Sequence, residues 1–313
     1  MNGFSKRRVV LAGGSGFLGS ALVQPLLAGN YEVVVLTRSP RKRNDGVREI
    51  VWDGKALGAW VQYLADAHAV VNLTGRSVNC RHTPENLREI IESRVNSVSA
   101  IASAIHNVAR PPRVWVQAGS LAFYGDLDDQ WCEEGTPSGA GKMVETCRLW
   151  ETAFQAAPLP NTRRVLLRIG LVLARDDGAL SVLGKLTKWF LGGAVGNGRQ
   201  HVSWIHLADM NQMFMDSIER DDLLGVFNAT SPHPVTNAVF MAELRRALHR
   251  PWCPPAPAWA VRFGSWWMGA DPSLALTGRR CRPARFLKFG FEFHFPELRE
   301  ALDDIYGSHL KVG

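Results

Sequence analysis

Four closely spaced glycines near the start of the chain indicate a phosphate-binding turn. They lie in VVLAGGSGFLGSAL (9–22), where a run typical of a buried strand meets a helical pattern. A strand, a glycine turn and a helix N-terminus bind a dinucleotide pyrophosphate, because helix N–H groups attract phosphate and glycine lets the backbone approach it. Both G-x-G-x-x-G and G-x-x-G-x-x-G fit, although glycines also serve ordinary turns. We expect these residues to contact the cofactor: Gly13, Gly14, Ser15, Gly16, Phe17, Leu18 and Gly19.

A basic cluster follows the second predicted strand. Thr37, Arg38 and Ser39 stand at its end, with Arg41 and Arg43 close enough to help. An NAD site usually has a carboxylate there for the ribose 2′-hydroxyl, whereas an arginine can bind a 2′-phosphate through two hydrogen bonds. We therefore predict NADP(H) as the cofactor, with Thr37, Arg38 and Ser39 among its contacts. A solvated basic loop is the alternative interpretation.

Composition limits the classes of protein that fit. The 313 residues are 46% hydrophobic and 21% charged, which is typical of a soluble globular protein. The net charge of +7 is spread along the chain, and no nucleic-acid-binding module is recognisable, so we expect no nucleic-acid partner. Five cysteines without a C-x-x-C pair indicate reduced thiols and no metal site. No apolar run approaches the ~18 residues of a spanning helix, so we predict a cytoplasmic protein with no membrane partner.

Short apolar runs alternate with helical patterns in the first half of the chain. Strands are predicted at 8–12, 32–37, 69–73, 113–118 and 165–169, and helices at 18–28, 84–108 and 144–156. This alternation predicts an α/β fold: a Rossmann-type doubly wound parallel sheet. We place an NADP(H)-binding domain at 1–170 and a smaller α+β C-terminal lobe at 171–313. Strands and helices of 200–230 could return to the first domain.

Several segments resemble known families. GGSGFLG (13–19), VNLTGR (71–76), GSLAFYGD (119–126) and RIGLVL (168–173) resemble extended short-chain dehydrogenase/reductases. RHTPENLREIIESRV (81–95), CRLWE (147–151), GNGRQHVSWIHLADM (196–210) and the segment 256–296 are similar to the YfcH-type epimerase family, whose members are often labelled nucleoside-diphosphate-sugar epimerases. The resemblance covers nearly the whole chain, and it makes 250–298 a family-specific C-terminal segment. It also places Leu73, Thr74 and Gly75 beside the cofactor.

The usual catalytic pair of short-chain reductases is absent. Those enzymes use a serine after the fifth strand and a Tyr-x-x-x-Lys on the next helix, where the lysine lowers the pKa of the tyrosine. Ser120 stands at the serine position and would polarise the substrate oxygen. Counted back from Glu151, the tyrosine position holds Met143 and the lysine position holds Cys147. Neither side chain can supply the missing group, since methionine has no proton and cysteine no fixed positive charge.

Three explanations of this departure remain open. Tyr124 could be a displaced acid, with Lys142 lowering its pKa. Cys147 could act as a thiol, although a buried helical cysteine is more often inert. The third explanation is that the chain binds NADP(H) without catalysing a fast reaction.

Substrate contacts are predicted from the less regular part of the chain. We expect Arg81, Gln200 and His206 to face the substrate. The plainer interpretations are a solvated arginine, a flexible loop and a structural histidine. Asp209 is expected to cap the helix that it precedes. The alternating aromatic residues of 289–295 are interpreted as a half-buried strand in the core of the lobe, before a helix at 296–305.

The predicted function is hydride transfer on a nucleotide-sugar or similar hydroxyl or carbonyl substrate, by an atypical short-chain reductase or epimerase-like protein. A non-catalytic, NADP(H)-responsive regulatory protein is the alternative. The partner is a small-molecule substrate, and the chain is expected to be a monomer or a homodimer.

Overall fold

The computed structural model describes residues 6–307 as thirteen strands and ten helices. The strands are β1 Arg8–Ala12, β2 Glu32–Thr37, β3 Arg48–Val51, β4 Ala69–Asn72, β5 Val114–Ser120, β6 Trp131–Cys132, β7 Arg163–Ile169, β8 Leu171–Leu173, β9 His201–Val202, β10 Trp204–His206, β11 Gly225–Ala229, β12 Val235–Thr236 and β13 Arg280–Cys281. The helices are α1 Phe17–Ala28, α2 Pro84–Asn107, α3 Lys142–Gln155, α4 Gly178–Lys188, α5 Leu207–Glu219, α6 Asn237–Ala247, α7 Ala258–Trp267, α8 Ser273–Leu276, α9 Ala284–Lys288 and α10 Leu298–Gly307. Two 3-10 turns cover Ala59–Leu64 and Leu121–Tyr124.

Seven strands form one parallel sheet in the order β11-β7-β5-β4-β1-β2-β3. The direction of winding reverses beside β1, which pairs with β2 on one edge and β4 on the other. In a sheet of this kind a ligand cleft opens at the carboxyl ends of the strands that flank the reversal. The residues that follow β1 and β4 therefore meet at the cleft.

Both faces of the sheet are covered, because its strands are apolar on both sides. In β1, Val9 and Leu11 face a core that includes Leu22 of α1 and Phe214 of α5. Val10 and Ala12 face the opposite core, which α2 and α3 line with residues such as Ile101 and Trp150. The predicted doubly wound sheet with a smaller C-terminal region is confirmed, and the predicted strand limits agree within a few residues.

The chain returns to the main sheet after residue 200. Strand β11 pairs in parallel with β7 along the edge, and α5 packs against α1. The division at residue 170 stays a prediction, since residues 225–229 complete the seven-stranded sheet.

The C-terminal residues are distributed over two cores. Helices α6 and α10 pack together around Trp204 and Leu180 in a smaller core. The prediction of a strand at 289–295 was wrong, because these residues form a turn and a loop after α9. Phe291 and its neighbours Phe289 and Phe293 pack on the main-sheet core, whereas Phe295 joins the smaller one. Among residues 6–307, no helix combines the length and apolar content that crossing a bilayer requires.

Candidate functional site

The glycine turn after β1 is closely packed against the end of β4. Gly13 has a φ of +76°, and a Cβ there would lie 3.0 Å from the Thr74 nitrogen. A Cβ on Gly19 would overlap the Gly14 Cα, so this glycine lets α1 pack directly on the turn. A Cβ on Gly16 would meet only the Gly13 carbonyl, at 3.4 Å. Gly13 and Gly19 therefore serve packing, and Gly16 leaves the turn accessible to a ligand.

Helix α1 begins in a way that suits an anion. Gly16 is its N-cap, no side chain caps it within the described residues, and its first turn has no acidic residue. Uncapped N–H groups and the positive end of the helix dipole attract phosphate. Ser15, Phe17 and Leu18 are accessible at this point. The end of β1 thus has the chemistry of a pyrophosphate site.

The end of β2 lies beside the same turn. The Ser15 and Thr37 hydroxyls are 3.2 Å apart, and the Ser39 backbone N–H donates to Thr37 at 3.4 Å. Arg38 is exposed and has no hydrogen bond or ion pair within residues 6–307, so it can bind an anion. Arg43 does not share this freedom, because Asp45 and Glu49 bind its guanidinium. The expectation that Arg43 helps to bind the cofactor phosphate is therefore not supported.

The end of β4 contributes an unpaired polar atom. The Leu73 N–H donates to Ala12 at 2.8 Å, and the Thr74 N–H donates to the Asn72 side chain at 3.0 Å. The Thr74 hydroxyl oxygen is buried and has no hydrogen-bond partner among the described residues. A buried hydroxyl without a partner is costly, and a ligand in the cleft can supply one. The role of Leu73, Thr74 and Gly75 as cofactor contacts stays a prediction, which the unpaired Thr74 hydroxyl favours.

Ser120 ends β5 at the same edge of the sheet. It is half-buried, and its hydroxyl accepts a hydrogen bond from the Ala122 N–H at 3.1 Å. The hydroxyl proton remains available to a substrate oxygen. A role for Ser120 in catalysis stays a prediction.

Tyr124 is fully buried in a polar cluster. Arg168 donates to its hydroxyl at 2.8 Å, and the Glu133 carbonyl and Asn228 Oδ1 both lie 2.8 Å from it. Burial raises the pKa of this phenol, and the Arg168 charge only partly offsets the shift. Lys142 is exposed at the start of α3, so Arg168 is the cation in contact with the phenol. This environment disfavours Tyr124 as a proton donor to a substrate.

Cys147 is buried on α3. Burial, assisted by the nearby Glu151 carboxylate, raises its pKa to about 12. A thiolate is therefore disfavoured near neutral pH. Met143 lies one turn earlier, half-buried. The positions that would hold the usual tyrosine and lysine carry no proton-transfer group.

Three arginines act on the Cys147 thiol, and Arg168 among them is paired with Glu151. The other two are Arg94 and Arg279. Arg94 of α2 donates from Nη1 to the Arg76 and Ile90 carbonyls, and its guanidinium stands 5.0 Å from the Trp150 ring. It approaches Gly75 so closely that a Cβ there would lie 3.1 Å from the guanidinium carbon.

Arg279, which precedes β13, donates to the Gly125 carbonyl at 3.2 Å. Neither Arg94 nor Arg279 forms an ion pair within residues 6–307, whereas Arg76 pairs with Glu89. Arg279 was not among the predicted site residues, and spacing gives no signal for it, because it is remote in sequence from α3.

The three predicted substrate residues are held by separate parts of the C-terminal region. Arg81 donates to the Trp266 carbonyl at 2.9 Å. Gln200 donates to the Val195 and Ala275 carbonyls at 3.0 and 3.1 Å. The structure does not bring them into one cluster of free polar groups.

His206 is engaged at both ring nitrogens. Nδ1 accepts from the Ala208 N–H at 3.2 Å, Nε2 lies 3.3 Å from Asp304, and Phe295 packs on the ring. Burial lowers its pKa, which favours the neutral imidazole. His206 thus caps α5, and the prediction of Asp209 as the cap was wrong. Asp209 instead accepts from the N–H groups of His294 and Phe295.

The chain is similar in sequence to proteins of a known family. A sequence model of the NAD dependent epimerase/dehydratase family matches residues 9–148, and a domain of unknown function, DUF1731, matches residues 256–305. A chloroplastic homolog of the epimerase family protein SDR39U1 from Arabidopsis thaliana is 33% identical over 304 residues. That match covers 95% of this chain and 86% of the plant protein.

Solved structures show the same fold. Human SDR39U1, crystallised with NADPH, has a TM-score of 0.86 and 30% identity, covering 96% of this chain and 99% of that one. A nucleoside-diphosphate sugar epimerase from Corynebacterium glutamicum has a TM-score of 0.78 and 26% identity, covering 97% of this chain and 59% of that one. Compartment stays a prediction, since the plant relative is described as chloroplastic.

Proposed function

Because the chain belongs to the epimerase family of short-chain dehydrogenase/reductases that includes SDR39U1, we propose that it binds NADP(H) at the carboxyl ends of β1, β2 and β4. The observation that carries this proposal is the uncapped α1 N-terminus beside the unpaired Arg38. The helix end would hold the pyrophosphate, and Arg38 the 2′-phosphate. The unpaired Thr74 hydroxyl supports a ligand at the same edge. NADPH in the human structure, which is 30% identical, adds support.

We propose further that the chain is an atypical reductase or epimerase-like enzyme. NADP(H) when bound supplies a nicotinamide that exchanges hydride with a hydroxyl or carbonyl carbon. Ser120 would hold and polarise the substrate oxygen through its free hydroxyl proton. Tyr124 and Cys147 remain hypotheses as catalytic groups, and their buried surroundings do not support them.

A nucleotide-sugar or a similar anionic compound is the proposed substrate class. Arg94 and Arg279 are cations without carboxylate partners in the described part of the chain, and both act on the Cys147 thiol of α3. Unpaired guanidinium groups near a cleft attract phosphate or carboxylate. The description of the Corynebacterium protein as a nucleoside-diphosphate sugar epimerase is consistent with this class.

A second candidate is a non-catalytic protein that binds NADP(H) and reports its redox state to a partner. The observation in its favour is that Met143 and Cys147 leave the usual proton-transfer positions without a titratable group suited to neutral pH. Under this candidate the cofactor site is the same and only the chemistry differs.

Cofactor choice is tested by titrating the protein with NADPH and NADH, following thermal stabilisation and fluorescence. Arg38→Ala should weaken NADPH binding by roughly 10- to 100-fold, because it removes charge-assisted hydrogen bonds, and should leave NADH binding unchanged. Arg88→Ala, which alters an exposed arginine on α2, is the matched control. Stronger stabilisation by NADH than by NADPH would contradict the proposal.

Turnover separates the two candidates. We expect C4-deuterated NADPH to transfer label to a member of a carbonyl and sugar-nucleotide panel, and Ser120→Ala to slow that transfer by at least about 100-fold. A tight NADPH complex with no transfer across the panel would favour the regulatory candidate instead.

A further inference from the structure

Two stretches that contact each other expose ten large apolar side chains, and eight of them, without Val182 and Met268, form one set. Three follow α4, one lies in the proline-rich connector, and four are on α7. We name this set the aromatic surface. Its members and their exposed fractions are Trp189 79%, Phe190 59%, Leu191 64%, Trp252 74%, Trp259 73%, Phe263 62%, Trp266 56% and Trp267 76%.

Helix α7 turns its apolar face away from the protein. Residues 259, 263, 266 and 267 follow the i, i+4, i+7, i+8 spacing that places them on one side of a helix. Ser265 is the residue of α7 that is buried. In most surface helices the apolar stripe faces the core and the polar stripe faces solvent. In α7 the apolar stripe faces solvent instead, which is typical of a helix that binds another molecule or a membrane.

Direct contacts join the two stretches. The Cys253 thiol donates to the Phe190 carbonyl at 3.0 Å, and the Arg250 guanidinium lies 5.3 Å from the Phe190 ring. Residues 195 and 256 form a β-bridge just before α7 begins. The turn after α4 and the connector to α7 are therefore packed together.

The charge of these stretches has one sign. Residues 178–200 and 244–270 contain seven lysines and arginines but no aspartate or glutamate. Arg246 among them is paired with Glu243 and Asp303, which lie outside these stretches. Lys185, Lys188 and Arg262 are exposed among the apolar side chains. Tryptophan and phenylalanine beside such cations are characteristic of elements that lie in the headgroup region of a bilayer, where cations bind anionic lipid.

We propose that the aromatic surface docks this protein on the face of an anionic lipid bilayer without crossing it. This goes beyond the proposed function, and it replaces the expectation of no membrane partner. A second copy fits less well, because a two-fold interface would place these cations against themselves. A nucleic acid also fits less well, because the sequence contains no recognisable nucleic-acid-binding module.

Vesicle flotation of the full-length protein tests the proposal. One set of vesicles is pure phosphatidylcholine, and the other contains about a third phosphatidylglycerol. We expect at least about ten-fold stronger binding to the anionic vesicles, weakened as salt screens the cations. Tryptophan fluorescence should shift to shorter wavelength on binding, because the rings leave water.

Two triple variants distinguish docking from a general effect of exposed apolar residues. Trp189→Ser/Trp259→Ser/Trp267→Ser should weaken vesicle binding at least about ten-fold. The control is Val51→Ser/Leu57→Ser/Leu224→Ser, which removes side chains that are 63%, 49% and 58% exposed elsewhere, and it should bind like the unchanged protein. Melting curves by circular dichroism check that both variants remain folded.

Four results would overturn the proposal. They are absence of vesicle binding, equal binding to both vesicle types, equal loss in the two variants, and release by a single-stranded oligonucleotide. A dimer in sedimentation velocity that dissociates only in the tryptophan variant would identify a second copy as the occupant instead. Because none of these measurements uses NADP(H), the outcome is independent of the cofactor proposal.

Discussion

At the scale of single residues, burial decides which reactive side chains can reach a substrate. Tyr124 has the right functional group for acid catalysis, but its hydroxyl is surrounded by Arg168, Asn228 and the Glu133 carbonyl. Ser120 lies only four residues away and keeps a free proton at the edge of the sheet. The accessible hydroxyl is therefore the better candidate, although it is the weaker acid.

Replacing Tyr124 tests this distinction. Tyr124→Phe should lower the free energy of unfolding by about 1–3 kcal/mol, because Arg168 and Asn228 lose a buried partner. NADPH affinity and the pH dependence of any turnover should stay unchanged. Urea denaturation and a pH–rate profile measure the two effects. Disappearance of a basic-limb pKa from the profile, with stability unchanged, would restore the acid role.

Arg94 forms no ion pair within residues 6–307, and its guanidinium lies beside the predicted cofactor loop at Gly75. Arg94→Met should weaken NADPH or substrate binding by about ten-fold or more, whereas Arg94→Lys should retain part of it, because the charge remains. Fluorescence titration measures the affinity, and a melting curve controls for loss of the hydrogen bonds to Arg76 and Ile90. Equal effects of the two variants would indicate a purely structural arginine.

At the scale of elements, the site depends on two strand ends that pack against each other. The turn after β1 contacts the turn after β4 at Gly13, and α1 contacts the same turn at Gly19. Any side chain at these glycines must separate elements that together form the cleft. At position 13, both the positive φ of the turn and its close packing against the β4 turn therefore require glycine.

The chain offers a matched pair of glycines to separate those two requirements. Gly13 and Gly46 have φ values of +76° and +82°, but a Cβ at Gly46 would meet nothing within 4 Å. Gly46→Ala should cost about 1–2 kcal/mol of stability from backbone strain alone. Gly13→Ala should cost more and also abolish NADPH stabilisation in a thermal-shift assay. Similar losses of stability and unchanged NADPH binding in both variants would show that the β1–β4 contact does not matter.

At the scale of the whole molecule, buried histidines make stability depend on pH. Burial lowers the pKa of His68 from 6.5 to about 4, assisted by the charges of Arg7 and Arg113. Above pH 6.5 the imidazole is neutral in both the folded and the unfolded chain. Between pH 6.5 and about 4 the unfolded chain binds the proton more readily, so stability falls as pH falls.

The contribution of His68 can be isolated by substitution. With allowance for solvent screening, we expect it to account for about 1–2 kcal/mol of the stability lost over this interval. His68→Gln should flatten the dependence of melting temperature on pH between about 6.5 and 4, whereas His106→Gln, at an exposed position on α2, should not. Parallel curves for all three proteins would contradict the assignment.

The sequence by itself determined the strand–turn–helix unit around Gly13–Gly19 and the alternation of strands and helices. Both follow from local rules: glycine spacing sets the turn, and apolar periodicity sets the face that each element buries. It also placed Arg38 correctly at the end of β2, since that position follows directly from the strand limits.

Only the tertiary structure determined which side chains from distant segments lie close together. It brought Arg94 and Arg279 to α3 from 53 residues before and 132 residues after Cys147, returned β11 to the sheet, and buried Tyr124. It also turned the apolar face of α7 outward, where periodicity alone predicts an inward face. Such contacts depend on the path of the chain between distant segments, and neither spacing nor composition encodes that path locally.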